Sequence, residues 1–137
     1  MAAHDGSDED RLLPGDHLLN EFGMRRVVDD LAGPALEMSV GDRVVNPHGG
    51  LHGGLMMTLI ECGAAGIAVR ATQSENIVAG DLTVRFLRAV RVGPARVVGR
   101  ALHIGRRVVV VQADVIDVGA ERAVCATSTI GYQRLDG

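Results

Sequence analysis

Two neighbouring features of this sequence carry residue types able to do chemistry together. The first is Asn46-Pro47-His48-Gly49-Gly50-Leu51-His52-Gly53-Gly54, a glycine-rich lead into a long apolar run, and the second is Glu61, in the middle of that run. If the run is a helix, its first backbone N–H groups have no partner within it and its dipole points positive there, so the junction around Gly53 is competent to hold an oxyanion. The plainer role for the same glycines is turning the chain. Glu61 is the sharper signal, because an ionised carboxylate among apolar neighbours is costly unless it is paired or employed, and no Lys or Arg lies three or four residues away. A solvent-filled edge or a distant arginine would also satisfy it. His48 and His52 have the four-residue spacing of helical metal ligands, but Pro47 and the glycines oppose a helix there, so no metal is expected. His52 fits a helix-entry hydrogen bond, a role that leaves it free to orient a substrate.

Spacing then limits how the two features cooperate. Glu61 follows Gly53 by eight residues, or about 12 Å along a helix, too far for both to act on one carbonyl. A shared site therefore needs two chains, with antiparallel helices setting Glu61 of one beside Gly53 of the other. A homodimer is expected.

The elements that must position these residues follow from punctuation and periodicity. Residues 1–16 are expected to form a mobile acidic tail, and 17–137 a single domain that opens with a short helix capped by Asp16. Strands over 24–29 and 35–40 flank a turn containing Asp29, Asp30, Gly33 and Pro34, and 41–54 reads as an irregular loop. From 54 to 71 the run is apolar nearly all round, which marks an enclosed helix, and Gly63, Ala64, Ala65 and Gly66 would let another backbone come close. Val78, Gly80, Leu82, Val84 and Phe86 alternate with more polar neighbours as a strand does. Further strands are expected over 96–104, 107–117 and 122–132, making a four-stranded antiparallel meander. One helix against such a sheet is α+β. Val108 to Val111 breaks the polar alternation, which points to a sheet face partly covered by a partner subunit.

Composition agrees with one small domain. The chain has 137 residues, and its 47% hydrophobic content includes only 2% aromatics, so Val, Leu, Ile, Ala and Met must fill the core. Fourteen basic against seventeen acidic residues give a net charge of -3, which excludes a general nucleic-acid binder with its basic excess and stacking rings. Residues 51–69 are apolar enough to raise a membrane span, but the central Glu61 and the many alanines and glycines oppose it. The acidic N-terminus has no signal-peptide pattern, and Cys62 and Cys125 read as reduced buried thiols, so a cytoplasmic protein is expected.

Taken together, Asn46, His52-Gly53-Gly54, the helical acid Glu61 and Asp81-Leu82-Thr83-Val84-Arg85-Phe86-Leu87 resemble the hotdog-fold acyl-CoA thioesterases of the PaaI type, in the 4-hydroxybenzoyl-CoA thioesterase-like superfamily. The likeness covers about Phe22 to Tyr132. It implies a sheet wrapped round a central helix and hydrolysis of an acyl- or aryl-CoA. The Gly53 N–H would polarise the thioester carbonyl while His52 and Asn46 orient substrate and water. Glu61 of the facing subunit would serve as general base, or as nucleophile through an anhydride.

Substrate contacts are implied for Gly54, Met57, Ala79, Gly80, Asp81 and Leu82, with Met56 and Val84 beside them in the acyl pocket. His103, Arg106, Arg107 and Arg88 would meet the phosphates of CoA, which enters as part of the substrate; no separate cofactor is implied. Dimers would pair into a dimer of dimers. Two positions depart from the pattern, since Ala79 and Ala65 stand where relatives carry a Ser or Thr that helps hold water. Two other readings use the same framework: a hydratase or dehydratase acting on a hydroxyacyl thioester, and a non-catalytic acyl-CoA binding module.

Overall fold

The computed structural model describes residues 12–136. A short 3-10 helix, η1 (Leu18–Phe22), precedes β1 (Met24–Asp29), β2 (Gly33–Met38), helix α1 (Gly53–Thr72), β3 (Ile77–Phe86), β4 (Ala95–Ile104), β5 (Val108–Asp117) and β6 (Ala123–Arg134). The expected acidic tail lies, over residues 1–11, outside the described ones. Leu12 packs against the core, and Asn20 hydrogen-bonds the backbone of Leu13 and Gly15. The cap of η1 is His17, not Asp16, because the His17 ring accepts the Leu19 N–H. The β1–β2 turn is also tighter than its sequence implied: Gly33 and Pro34 already pair with Asp29 and Val28, and β2 stops at Met38.

All six strands form one antiparallel sheet in the order β1-β2-β4-β5-β6-β3. The expected four-stranded meander is therefore corrected: β4, β5 and β6 follow one another, but β3 pairs with β6 instead of β4. Connection length explains the difference, because short turns at 105–107 and 118–122 close hairpins whereas the eight residues 87–94 cross from one side of the sheet to the other. The sheet thereby curls round α1, with β2 and β4 on one flank and β3 on the other. This is the hotdog arrangement.

Helix α1 is long and apolar enough to cross a bilayer, yet Leu59, Ile60, Ala64 and Ala68 are completely buried in this fold. They meet an aliphatic layer of Val97, Val109, Val111, Val115 and Ile130. A Cβ on Gly63 would come within 2.7 Å of the Val97 side chain, so only glycine lets the helix settle this close to β4. Ala65 and Gly66, expected to admit another backbone, line a cavity among the described residues. On β5, Val109 and Val111 point to the helix, while Val108 lies on the outer face and is 40% exposed.

A bulge in β3 corrects the alternation read from the sequence. Register slips between Ala79 and Asp81, so Gly80 is the extra residue; Ala79 lies opposite Tyr132, and Val78 moves to the outer face with Gln133. Leu82, Val84 and Phe86 keep the inner face. Strand β3 is also a sheet edge, with Val78 and Phe86 each about half exposed.

Candidate active site

Loop 41–52 delivers the N-terminus of α1 in a fixed orientation. Asn46 Oδ1 accepts the His48 N–H (2.9 Å) and the Gly50 N–H (3.3 Å), while the Asn46 N–H donates to the Gly50 carbonyl at 2.7 Å. Asn46 thus staples the loop with its oxygen and keeps its side-chain amide for donation. His52 follows with its N–H on the Val44 carbonyl, and its Nδ1 accepts the Gly54 N–H at 3.0 Å as the cap of α1. A neutral ring that accepts at Nδ1 carries its proton on Nε2, so exposed His52 is a hydrogen-bond donor as well as a cap. The Gly53 N–H has no acceptor among the described residues. Its surroundings are open, for a Cβ at Gly53 would meet only the Phe86 ring, at 3.6 Å.

Two turns further along, Glu61 is half-buried and has no ion-pair partner among the described residues. Its carboxylate Oε2 accepts from the Cys62 thiol at 3.7 Å, and its backbone carbonyl accepts the Tyr132 hydroxyl at 2.7 Å. Burial and then the Glu61 charge push the Cys62 thiol up to about 11, and the same two causes raise the Tyr132 phenol. Iodoacetamide should therefore modify Cys62 slowly at neutral pH, where the thiol stays protonated, and faster as pH approaches 11. In Glu61→Gln protein that rise should move to lower pH. A rate profile unchanged by the substitution would mean the carboxylate is not beside the thiol.

The sequence-predicted residues fall into two groups within one chain. Asn46, His52, Gly53 and Gly54 gather at the Phe86 end of β3, whereas Glu61, through Tyr132, belongs to the end that holds Ala79, Gly80 and Asp81. Seven residues of strand separate Phe86 from Ala79, about 23 Å. Gly54, Met57, Thr58 and Glu61 recur at helical spacing on an accessible stripe of α1, where Met57 is 41% exposed. Met56 points the other way, into the core, so it is not a pocket residue as expected. Leu82 and Val84 are half-buried beside the core.

His103, Arg106 and Arg107 line a separate surface hollow of about 500 Å³ at the β4–β5 turn, on the Glu61 end of the sheet. Among the described residues neither arginine has a carboxylate partner. Arg88 follows β3 at the opposite end, next to the Gly53 group.

Two residues at the site, Thr58 and Tyr132, escaped sequence reasoning. Thr58 lies three residues before Glu61 on the same stripe and donates its hydroxyl to the Gly54 carbonyl at 2.9 Å, a hydroxyl near the acid where Ala65 and Ala79 have none. The signal for it was its spacing from both Gly54 and Glu61. Tyr132 lies 71 positions from Glu61, and no local pattern could have joined them.

Comparison with known proteins agrees with this architecture. A model of the thioesterase superfamily matches residues 48–124, the stretch from the loop through α1 to the start of β6. ComA2 of Bacillus subtilis (strain 168), which bears the name of a candidate esterase, is 30% identical over 112 residues, spanning 79% of this chain and 86% of that protein. Thioesterase HI1161 of Haemophilus influenzae has the same fold with a TM-score of 0.75 at 23% identity, covering 86% of this chain and 82% of that one. BH2602 of Bacillus halodurans, crystallised with CoA, has a TM-score of 0.65 at 23% identity over 74% of this chain and 66% of its own.

Proposed function

The chain belongs to the thioesterase superfamily, whose members hydrolyse thioesters, and from that premise we propose that its substrate is an acyl-CoA cleaved to free acid and CoA at a site shared by two protomers. The observation that carries this reading is the division of the site: among the described residues, the start of α1 offers a Gly53 N–H without an acceptor, and two turns along it Glu61 offers a carboxylate without an ion pair. Pairing two copies about a twofold axis, with their helices antiparallel, completes two equivalent sites. The half-exposed edge strand β3, carrying Val78 and Phe86, supports such an association. Outer-face Val108 supports a further pairing of dimers.

In this site the thioester carbonyl oxygen accepts from the Gly53 N–H, with the dipole of α1 behind it, and the Nε2–H of His52 and the amide of Asn46 approach the same group. Glu61 of the partner subunit takes a proton from water as the water attacks the carbonyl carbon. Negative charge that develops on oxygen is held at Gly53. Collapse of the intermediate breaks the carbon–sulfur bond, and the proton on Glu61 passes to the CoA thiolate. Should Glu61 attack directly, the same thiolate leaves and water then opens the mixed anhydride. The hollow of His103, Arg106 and Arg107 would receive CoA phosphates, a role supported by the two arginines without carboxylate partners among the described residues. Placement in the cytoplasm, where acyl-CoA is made and used, suits this substrate.

A thiol-release screen over short, medium, long and aromatic acyl-CoAs tests the reading. The expected result is turnover of at least one class by a species that sediments as a dimer or larger. Tight acyl-CoA binding without thiol release would overturn it in favour of a binding module, and hydration of crotonyl-CoA would favour a hydratase. A monomer with full activity would contradict the shared site.

A further inference from the structure

Resting on the shared site above, we propose that the cavity beside Glu61 receives the acyl chain, and that it selects an unbranched aliphatic chain of medium length. The cavity measures about 470 Å³, within the range of small-molecule sites, and lies between α1, the β1–β2 hairpin and the segment around Leu12 and Leu19. Glu61 and Cys62 line one part of it, so the chain of a thioester reacting at Glu61 can enter without leaving the cavity.

Its volume has an identifiable origin in the sequence. Gly63, Ala65 and Gly66 all line the cavity; a Cβ on Gly63 would run into Val97, whereas a Cβ on Gly66 would meet only the tip of Arg70, at 3.3 Å. These small residues leave room that no backbone among the described residues fills. The apolar part of the wall is aliphatic, chiefly Leu19, Val27, Leu36 and Val69, and among the described residues no aromatic side chain lines the cavity to stack on an aryl group.

Charge gathers at the rim, where Arg26 donates to the Leu12 carbonyl and Arg70 to the Pro34 carbonyl, each at 3.2 Å, so both guanidinium groups brace the walls, and Glu75 adds a carboxylate at the same rim. From Glu61 to Val69 the helix advances about 12 Å, a span that matches a chain of medium length.

Gly66→Leu tests the cavity directly. Replacing a mid-helix glycine by leucine favours the helix, so the variant should fold, and the new side chain projects into the cavity. In the parent, octanoyl-CoA should be preferred to butyryl-, palmitoyl- and benzoyl-CoA. The ratio of kcat/KM for octanoyl over butyryl should fall at least about tenfold in the variant. Leu19→Ala, which enlarges the cavity, should raise palmitoyl relative to octanoyl. A parent preference for benzoyl-CoA, or ratios unmoved in both variants, would overturn the assignment of the chain to this cavity. Full activity in Glu61→Gln protein would instead overturn the role of Glu61 in the shared site on which it rests.

Discussion

Protein carrying Glu61→Gln should lose acyl-CoA hydrolysis by roughly a hundredfold to ten-thousandfold in kcat, the span typical of a removed general base. Glu61 has no ion pair among the described residues, and the Tyr132 hydroxyl binds its backbone carbonyl, so the substitution leaves the fold's contacts in place. A complementary lesion is available at Gly53. It is the first residue of α1, where proline is well tolerated, and the preceding His52 has ψ 131, as a residue before proline requires. Gly53→Pro therefore deletes the N–H and little else, and should cost about a hundredfold to a thousandfold. Gly53→Ala keeps the N–H and should cost less. Mixing the two inactive proteins decides how the site is built. In a mixed dimer, Gly53 of the first chain faces Glu61 of the second, which is one intact site, while the other site carries both lesions. Random exchange should restore about a quarter of parental activity, since half the dimers are mixed and half their sites are whole. Recovery of nothing after verified subunit exchange would show that each site lies within one chain.

How much of this was legible in the sequence depends on the range of the interactions. Loop 41–54, the helix after it and the later strands are set by local punctuation, and they fall within one or two residues of where glycine, proline and alternation put them. The pairing of β3 with β6 was not local. It depends on a connection too long for a hairpin, and the sequence of β3 reads the same beside either neighbour. The Gly80 bulge likewise needs the partner strand to define it, because alternation through Val78 and Gly80 looks unbroken until Ala79 is set against Tyr132. At the site, the twelve-ångström argument from Gly53 to Glu61 survives because helix rise is invariant. The cavity was invisible because Gly63 and Gly66 look alike in sequence, and only the position of Val97 shows that a side chain has no room at the first and has room at the second.

The second large effect should come from Asp29, far from the chemistry. Its side chain is fully buried at the end of β1, where Oδ2 accepts from Arg96 at 2.9 Å and Arg122 at 2.7 Å, and Oδ1 accepts the N–H groups of Leu31 and Ala32. Glu37, also buried, receives Arg25 and the other side of Arg96. Three arginines thus share two carboxylates, joining the β1–β2 hairpin to β4 and to the approach to β6. In Asp29→Asn protein the amide oxygen can still accept from Leu31 and Ala32, so the turn is spared, but the amide nitrogen in place of Oδ2 cannot accept from Arg96 or Arg122, and those two bonds are lost with the charge. Arg122 then has no carboxylate, and Arg96 keeps Glu37 alone. Removing one partner of a buried pair costs about 3–5 kcal/mol, and because the Arg122 side chain is 35% exposed the lower end is expected, read as a fall in the urea midpoint. The pH dependence has a definite sign. Arg122 first, and then Arg96, hold the Asp29 carboxyl well below the ordinary carboxylate range against the opposing effect of burial. The unfolded chain therefore binds the proton before the folded one does, so this stabilisation is complete above about pH 4–5 and is lost as pH falls toward the depressed folded value. Parental stability should drop steeply on acidification through that window, and the Asp29→Asn variant, whose amide has nothing to titrate, should show a flatter slope. Equal slopes in the two proteins would show that the arginines do not hold this carboxylate in its charged form.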